Sequence, residues 1–331
     1  MRDHGGDLDR AIARYGAGDW IDLSTGINRR SWPVGAIADM AWTALPTRSD
    51  QARLMDAARL AWRVAPANAG IALAGAQAAI QMVPSLRLPG QARMLARVLA
   101  PTYNEHAASL RAQGWQVQEC PRISALRGAD LAVVVNPNNP DGQSFSRQAL
   151  LDLAAGVGLL VVDESFADAM PEISLLSCQL PETVLVLRSF GKFYGLAGLR
   201  LGFAFGAPSL IAGLQAMAGP WPVSGPAIQI GSAALSDDAW AEMMRRQLIR
   251  DAARADALAL RAGWELAGGT PLFRLYHAAD AALAQDHLAR HRIWSRIFPY
   301  SPHWLRLGLP GSEQEWARLD EALAQGHDAG T

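Results

Sequence analysis

Lys192 is the only lysine in the chain, and the other 29 of its 30 basic side chains are arginine. Arginine stays protonated up to a pH of about 12 and does not act as a nucleophile, whereas a lysine amine attacks a carbonyl once its surroundings lower its pKa. Lys192 is therefore a candidate for covalent chemistry, and its competing reading is a surface lysine left by chance. Three further clusters could act with it. Asp163 and Glu164 stand together in VVDESF, Asn136 to Gly142 read NPNNPDG, and Gly75-Ala76-Gln77 open a helical pattern. The free backbone N–H groups and positive dipole end of such a helix suit an anion. Ser189, Lys192 and Arg200 share the run RSFGKFYGLAGLRLGF.

Apolar runs predict strands at 70–73, 94–99, 115–117, 131–135, 159–162, 184–187 and 201–205, with helices at 76–86, 104–113 and 147–155 between several of them. Strands buried on both faces and separated by helices predict a mostly parallel sheet, hence an α/β fold. Each cluster falls at a strand end, where open α/β sheets place ligands. The breaker cluster PWPVSGP at 220–226 predicts a boundary, followed by helical patterning at 227–263 and strands at 272–276, 293–296 and 304–307. The expected organisation is an N-terminal arm over 1–45, a large domain over 46–220 and a smaller C-terminal α+β domain over 221–331.

Composition removes several classes of function. The chain has 331 residues, half of them hydrophobic, and 30 basic against 31 acidic side chains. That balance lacks the cationic excess a nucleic-acid phosphate backbone requires. The start MRDHGGDLDR has no apolar core of a signal peptide, and no later run approaches the roughly 18 apolar residues of a membrane span. A cytoplasmic location is expected. Cys120 and Cys178 cannot build a disulfide framework. His287 and His291 stand at a metal-binding spacing, but no Glu follows His287 and no third ligand is evident, so no metal is expected. Val186 and Phe193 break a P-loop pattern around Gly191-Lys192, and no GxGxxG follows the first strand. The eleven tryptophans are scattered and are read as packing residues.

Taken together, NPNNPDG, VVDESF and RSFGKFYGLAGLRLGF resemble the cofactor site of the fold-type I, pyridoxal-phosphate-dependent aminotransferase superfamily, over nearly the whole chain. The resemblance implies pyridoxal 5′-phosphate as cofactor, bonded covalently by Lys192, with Asp163 pairing with the protonated pyridine nitrogen so that the ring stays an electron sink. It also implies that Asn139 hydrogen-bonds the ring hydroxyl and that Tyr103, in PTYNEH, lies on the ring face. Ser189 and Arg200, with Gly75, Ala76 and Gln77, would hold the cofactor phosphate, and the protein would be a homodimer. Three positions depart from the pattern. Phe166 replaces a common Tyr, Gly191 replaces a hydroxyl residue before the lysine, and Leu45-Pro46 replaces a Tyr-Pro that reaches a neighbouring subunit's cofactor phosphate, so no such trans contact is expected at Leu45.

Within the superfamily, HGGDL, IDLSTGIN, DESF and RSFGKFYGLAGLRLG look like the L-threonine O-3-phosphate decarboxylases of cobalamin biosynthesis, relatives of the histidinol-phosphate aminotransferases. That branch implies decarboxylation of L-threonine O-3-phosphate to (R)-1-aminopropan-2-ol O-phosphate. Amino transfer of the histidinol-phosphate type is the alternative, and a non-catalytic relative that keeps the cofactor is the second. The choice between decarboxylation and amino transfer depends on which bond to Cα is held perpendicular to the conjugated ring. A substrate phosphate is a natural handle for that orientation. Candidate binders of the substrate's phosphate and carboxylate are Arg296, Arg306, His4 and Asn28, with Arg274 in TPLFRL a weaker one.

Overall fold

The computed structural model describes residues 4–86 and 93–325. Seven of the apolar runs become one sheet: β1 Ala69–Leu73, β2 Leu95–Leu99, β3 Gln116–Cys120, β4 Leu131–Val135, β5 Leu159–Asp163, β6 Val184–Ser189 and β7 Gly202–Gly206. Their spatial order is β1-β7-β6-β5-β4-β2-β3. Only β7 runs against its neighbours, and the remaining pairings are parallel. Every residue of β4 and β5 is buried, which is why these strands read as continuous apolar runs rather than alternating ones. Val133, Val161, Leu185, Leu187 and Ala204 pack with Leu210 in the core against one face.

The register sets the site. Val135 pairs with Asp163 and Asp163 with Leu187, so the C-terminal ends of β4, β5 and β6 lie side by side. Two short helices begin nearby in sequence, α1 Ala76–Met82 after β1 and α2 Glu105–Ala112 after β2. The helix expected over 76–86 ends early because Pro84 has no N–H to donate, and the chain tightens into a 3₁₀ turn at Val83–Ser85.

The chain divides into two compact units whose limits differ from the expected 45 and 220. One holds Trp32–Asn139 and Ser144–Ala241; the other holds the N-terminal residues up to Ser31, Pro140–Gln143 and the chain from Glu242 onward. At the N-terminal side, Ile21 and Asp22 pair in parallel with Ile293 and Trp294, and Arg29 forms an ion pair with Glu315. The segment expected as an irregular arm also contains a helix, Leu8–Tyr15, capped by Asp7, which accepts a hydrogen bond from the Arg10 N–H at 3.2 Å. At the other limit, PWPVSGP does not end a unit. Its Ser224 and Pro226 start the helix Gly225–Leu235, where proline at the first turn loses no hydrogen bond. The second unit carries an antiparallel sheet of β8 Glu265–Thr270, β9 Phe273–His277, β10 Arg296–Phe298 and β11 Ser301–Gly308, in the order β10-β11-β9-β8. Among the described residues no helix is long and apolar enough to cross a membrane.

Under the strand ends lies a buried ionic cluster. Arg188, on β6 and 1% exposed, contacts Glu164 at 3.1 Å and Asp168 at 3.0 Å. Its guanidinium carbon sits 4.6 Å from the Trp62 ring, and the Trp62 indole N–H donates to Asp168 at 2.7 Å. Ser174 and the Leu175 N–H donate to Glu164 at 2.5 and 2.7 Å. Burial pushes the Glu164 carboxyl up against the pull of Arg188. Removing Arg188 leaves two buried carboxylates without their cation, and removing Glu164 leaves Arg188 with one carboxylate and the Ser174 and Leu175 donors without their acceptor. Arg188→Leu or Glu164→Leu is expected to lower unfolding free energy by about 3–5 kcal/mol, read from urea denaturation followed by circular dichroism. A loss below about 1 kcal/mol, the range of an exposed pair, would show that the cluster is not holding the strand ends.

Candidate active site

Gly75, Ala76, Gln77, Tyr103, Asn139, Asp163, Ser189, Lys192 and Arg200 all line one cavity of about 140 Å³ within the larger unit, with Phe166 and Ser165 among the remaining walls. Positions from 75 to 200 of the sequence are thus brought together by the sheet. Asn139 follows β4, Asp163 ends β5, and Ser189 ends β6 directly before the turn Phe190–Phe193 that carries Lys192.

Gly75 caps α1 with φ +83°, a left-handed conformation that glycine adopts without strain. A Cβ there would stand 3.0 Å from Nη2 of Arg200. Arg200 itself sits at φ 54°, and its Nη1 donates to the Ala197 carbonyl at 3.2 Å. Gly191, which departs from the superfamily's usual hydroxyl residue, has a packing reason: a Cβ would meet the Ala197 Cα at 2.7 Å. Phe166 is buried, with the Lys192 ammonium 5.8 Å from its ring centre.

Asp163 is 2% exposed. Its Oδ2 is 2.8 Å from His106 Nε2, and its Oδ1 accepts from the Ser165 N–H at 3.0 Å and the Ser165 hydroxyl at 2.5 Å. Burial pushes the carboxyl up, but the hydrogen bond and charge of His106, aided by Ser165, outweigh it and hold Asp163 below the usual aspartate range. His106 was not singled out in the sequence. The available signal is its place three residues after Tyr103, the spacing that brings side chains to one side of a helical turn. Gln77 is more constrained than expected: its side chain bonds Tyr103 and Glu105, leaving its backbone N–H as the group available to an anion.

The cavity therefore offers a half-buried amine, a carboxylate kept ionised, an arginine beside free helix-end N–H groups, and apolar walls from Phe166, Ile80 and Leu201. A flat aromatic aldehyde with a basic ring nitrogen and a phosphate matches all four, so these residues could hold pyridoxal phosphate.

The four candidates for the substrate's anionic groups all belong to the other unit. Arg296 and Arg306 are register partners on β10 and β11, which puts two cations side by side. Arg306 is buried, donates to the Ser24 carbonyl at 2.6 Å, and is pulled down to about 10 by burial and by the charge of Arg296. Asn28 is buried and accepts from the Arg30 N–H at 2.9 Å; His4 is exposed. Arg274 is committed elsewhere, in a two-pronged pair with Asp256 at 2.9 and 2.7 Å that also binds the Tyr276 hydroxyl. His287 and His291 face Ala322 and Gln325 on the C-terminal helix, and among the described residues no group of three or more His, Cys, Asp or Glu could hold a metal ion.

Fold and site together define a class. The sequence model of the aminotransferase class I and II family matches residues 52–323, and the chain belongs to that family. It is 43% identical to the threonine-phosphate decarboxylase of Pseudomonas aeruginosa, over 98% of this chain and 97% of that one. It is 39% identical to the threonine-phosphate decarboxylase of Sinorhizobium sp, over 97% of each chain. Among solved structures, the histidinol-phosphate aminotransferase of Sinorhizobium meliloti in complex with pyridoxal-5′-phosphate superposes with a TM-score of 0.80, over 99% of this chain and 96% of that one. At 19% identity this is a likeness of fold.

The pairing of His106 with Asp163 has a pH signature. A carboxyl held below its ordinary pKa of about 3.9 stabilises the fold fully above that value and loses the contribution as pH falls through the lowered one. His106→Phe removes the main opposing influence on the desolvated Asp163, so its pKa rises. The stability gap between wild type and variant, read from urea midpoints, is expected to be widest near pH 7 and to narrow as the carboxyl protonates. A gap independent of pH would show that the two groups are not electrostatically coupled.

Proposed function

We propose that this chain is a pyridoxal 5′-phosphate-dependent L-threonine O-3-phosphate decarboxylase that releases carbon dioxide and leaves (R)-1-aminopropan-2-ol O-phosphate, a step of cobalamin biosynthesis. The observation that supports it most is the meeting of the only lysine with an ionised aspartate and an anion-binding helix end in one cavity, in a chain alike along its whole length to two threonine-phosphate decarboxylases.

When bound, pyridoxal phosphate supplies a conjugated electron sink for the pair of electrons left at the substrate's Cα. Lys192 would supply the amine that holds the cofactor covalently and the proton returned to Cα. Asp163 would keep a negative charge against the ring nitrogen, and Asn139 would hydrogen-bond the ring hydroxyl. The Ala76 and Gln77 N–H groups, the Ser189 hydroxyl and the Arg200 guanidinium would hold the phosphate at the helix end capped by Gly75, whose own N–H donates to the Leu73 carbonyl at 2.7 Å. Tyr103 and Phe166 wall the ring against water. Arg296, Arg306, His4 and Asn28 would bind the substrate's phosphate and carboxylate, and that remote binding energy would orient the bond to be broken. The protein works as a cytoplasmic homodimer; Met40, Trp42 and Leu45, each at least 65% exposed, are an apolar surface suited to a second subunit.

The direct test incubates the holoenzyme with L-threonine O-3-phosphate and assays carbon dioxide and aminopropanol phosphate, in parallel with histidinol phosphate and 2-oxoglutarate. Faster turnover of the second pair would replace this reading with an aminotransferase. Lys192→Arg is expected to abolish turnover in a folded protein, and Asp163→Asn to cost about a thousandfold in rate, the scale of a lost catalytic proton or charge. Near wild-type turnover without a lysine would overturn the covalent assignment. Unphosphorylated L-threonine is expected to lose decarboxylation rate at saturation as well as affinity, since remote binding energy sets orientation. Equal single-turnover rate constants for the two substrates would remove the handle.

A further inference from the structure

Glu105 opens α2 and is 7% exposed, deep burial for a carboxylate. Its Oε2 accepts from the Gln77 amide nitrogen at 3.0 Å, while the Gln77 amide oxygen accepts from the Tyr103 hydroxyl at 3.2 Å. The order of this chain is fixed at one end. An ionised carboxylate has acceptors only, so it pairs with the NH₂ end of the amide and turns the oxygen end toward Tyr103. The tyrosine then has to donate. An acid in the first turn of a helix also complements the helix dipole, but that role is met at an exposed position and needs no Gln77.

We propose that Glu105 is a positioning residue that acts through the Gln77 amide to commit the Tyr103 hydroxyl hydrogen to Gln77 and so hold the tyrosine ring at the cavity wall. The proposal rests on the cofactor reading above, in which Tyr103 covers the ring face. Its chemical consequence is that Tyr103 supplies no proton to the site, leaving proton return at Cα to Lys192. The same turn also carries His106, which holds Asp163. One segment, 103–106, thus fixes both a face of the cavity and its carboxylate.

Glu105→Gln keeps size and hydrogen bonding but lets the chain reverse: an amide at 105 can donate to the Gln77 oxygen, and the Gln77 NH₂ can then donate to Tyr103. The experiment is a double-mutant cycle of Glu105→Gln and Tyr103→Phe. It is read as cofactor half-saturation, by quenching of tryptophan fluorescence on titrating cofactor-free protein, and as visible-region circular dichroism of the bound form. Glu105→Gln alone is expected to raise half-saturation about tenfold, the scale of one charge-assisted hydrogen bond, and to shift the dichroism. With Tyr103→Phe already present, the same substitution is expected to change half-saturation by less than about twofold.

The same cycle by urea unfolding of cofactor-free protein should be non-additive, the double variant resembling the weaker single one. Additive effects in both cycles, or no effect of Glu105→Gln, overturn the proposal while borohydride fixation at Lys192 leaves the cofactor reading intact. Non-additive unfolding with no cofactor binding overturns the cofactor reading and leaves the Glu105 chain standing.

Discussion

The contact on which the site depends is the buried grip of Arg188 on Glu164 and Asp168. Glu164 directly follows Asp163, and Arg188 directly precedes Ser189, four residues before Lys192. A guanidinium held between two carboxylates therefore links the end of β5 to the end of β6 one residue behind the groups that face the cavity. Hydrophobic packing would hold these strands together but would tolerate small slips. Directional bonds to a planar fork do not. Burying two acids against one base is costly, and the Trp62, Ser174 and Leu175 donors offset part of that cost by bonding both Glu164 oxygens and Oδ1 of Asp168.

A second polar layer sits on this foundation. Asp163 lies where water is largely excluded, and desolvation by itself pushes its carboxyl up. His106 and Ser165 reverse that outcome. The requirement explains why α2 begins where it does: its first turn must reach Asp163 with His106 while Tyr103 faces the cavity. The polar groups lining the cavity sit on strand ends, tight turns and a helix start, and their precision is set by residues one step further back.

Much of this was legible in the sequence because the large unit's site is built from contiguous motifs. NPNNPDG, VVDESF and RSFGK each place a polar residue at the end of an apolar run, and a buried parallel strand can hardly be read otherwise. The lone lysine added an argument from chemistry alone. What escaped had physical reasons. His106 and Glu105 act through contacts between segments distant in sequence. β8 has the sequence ELAGGT, mostly exposed and rich in glycine, and so lacks a strand signature. Prolines were read as breakers at 220–226 although Pro226 begins a helix. Arg274 and Arg306 are told apart only by what folding puts around them, a two-pronged pair with Asp256 for one and burial beside Arg296 for the other.

That last contrast separates the two kinds of site residue. A group that works on the cofactor is held by its own strand and announces itself locally. An arginine outside those motifs is one among 29, and its surroundings are set only by folding. Arg274 has Asp256 and is neutralised. Arg296 and Arg306 have each other across the strand pair, and Arg306 is pulled down to about 10 with burial and its neighbour's charge both opposing its protonation. Two adjacent cations, one of them buried, gain by association with a dianion, because a single anion relieves both the repulsion and the desolvation. Burial beside a second cation is thus what sets Arg306 apart from Arg274, which lies in a two-pronged pair with Asp256.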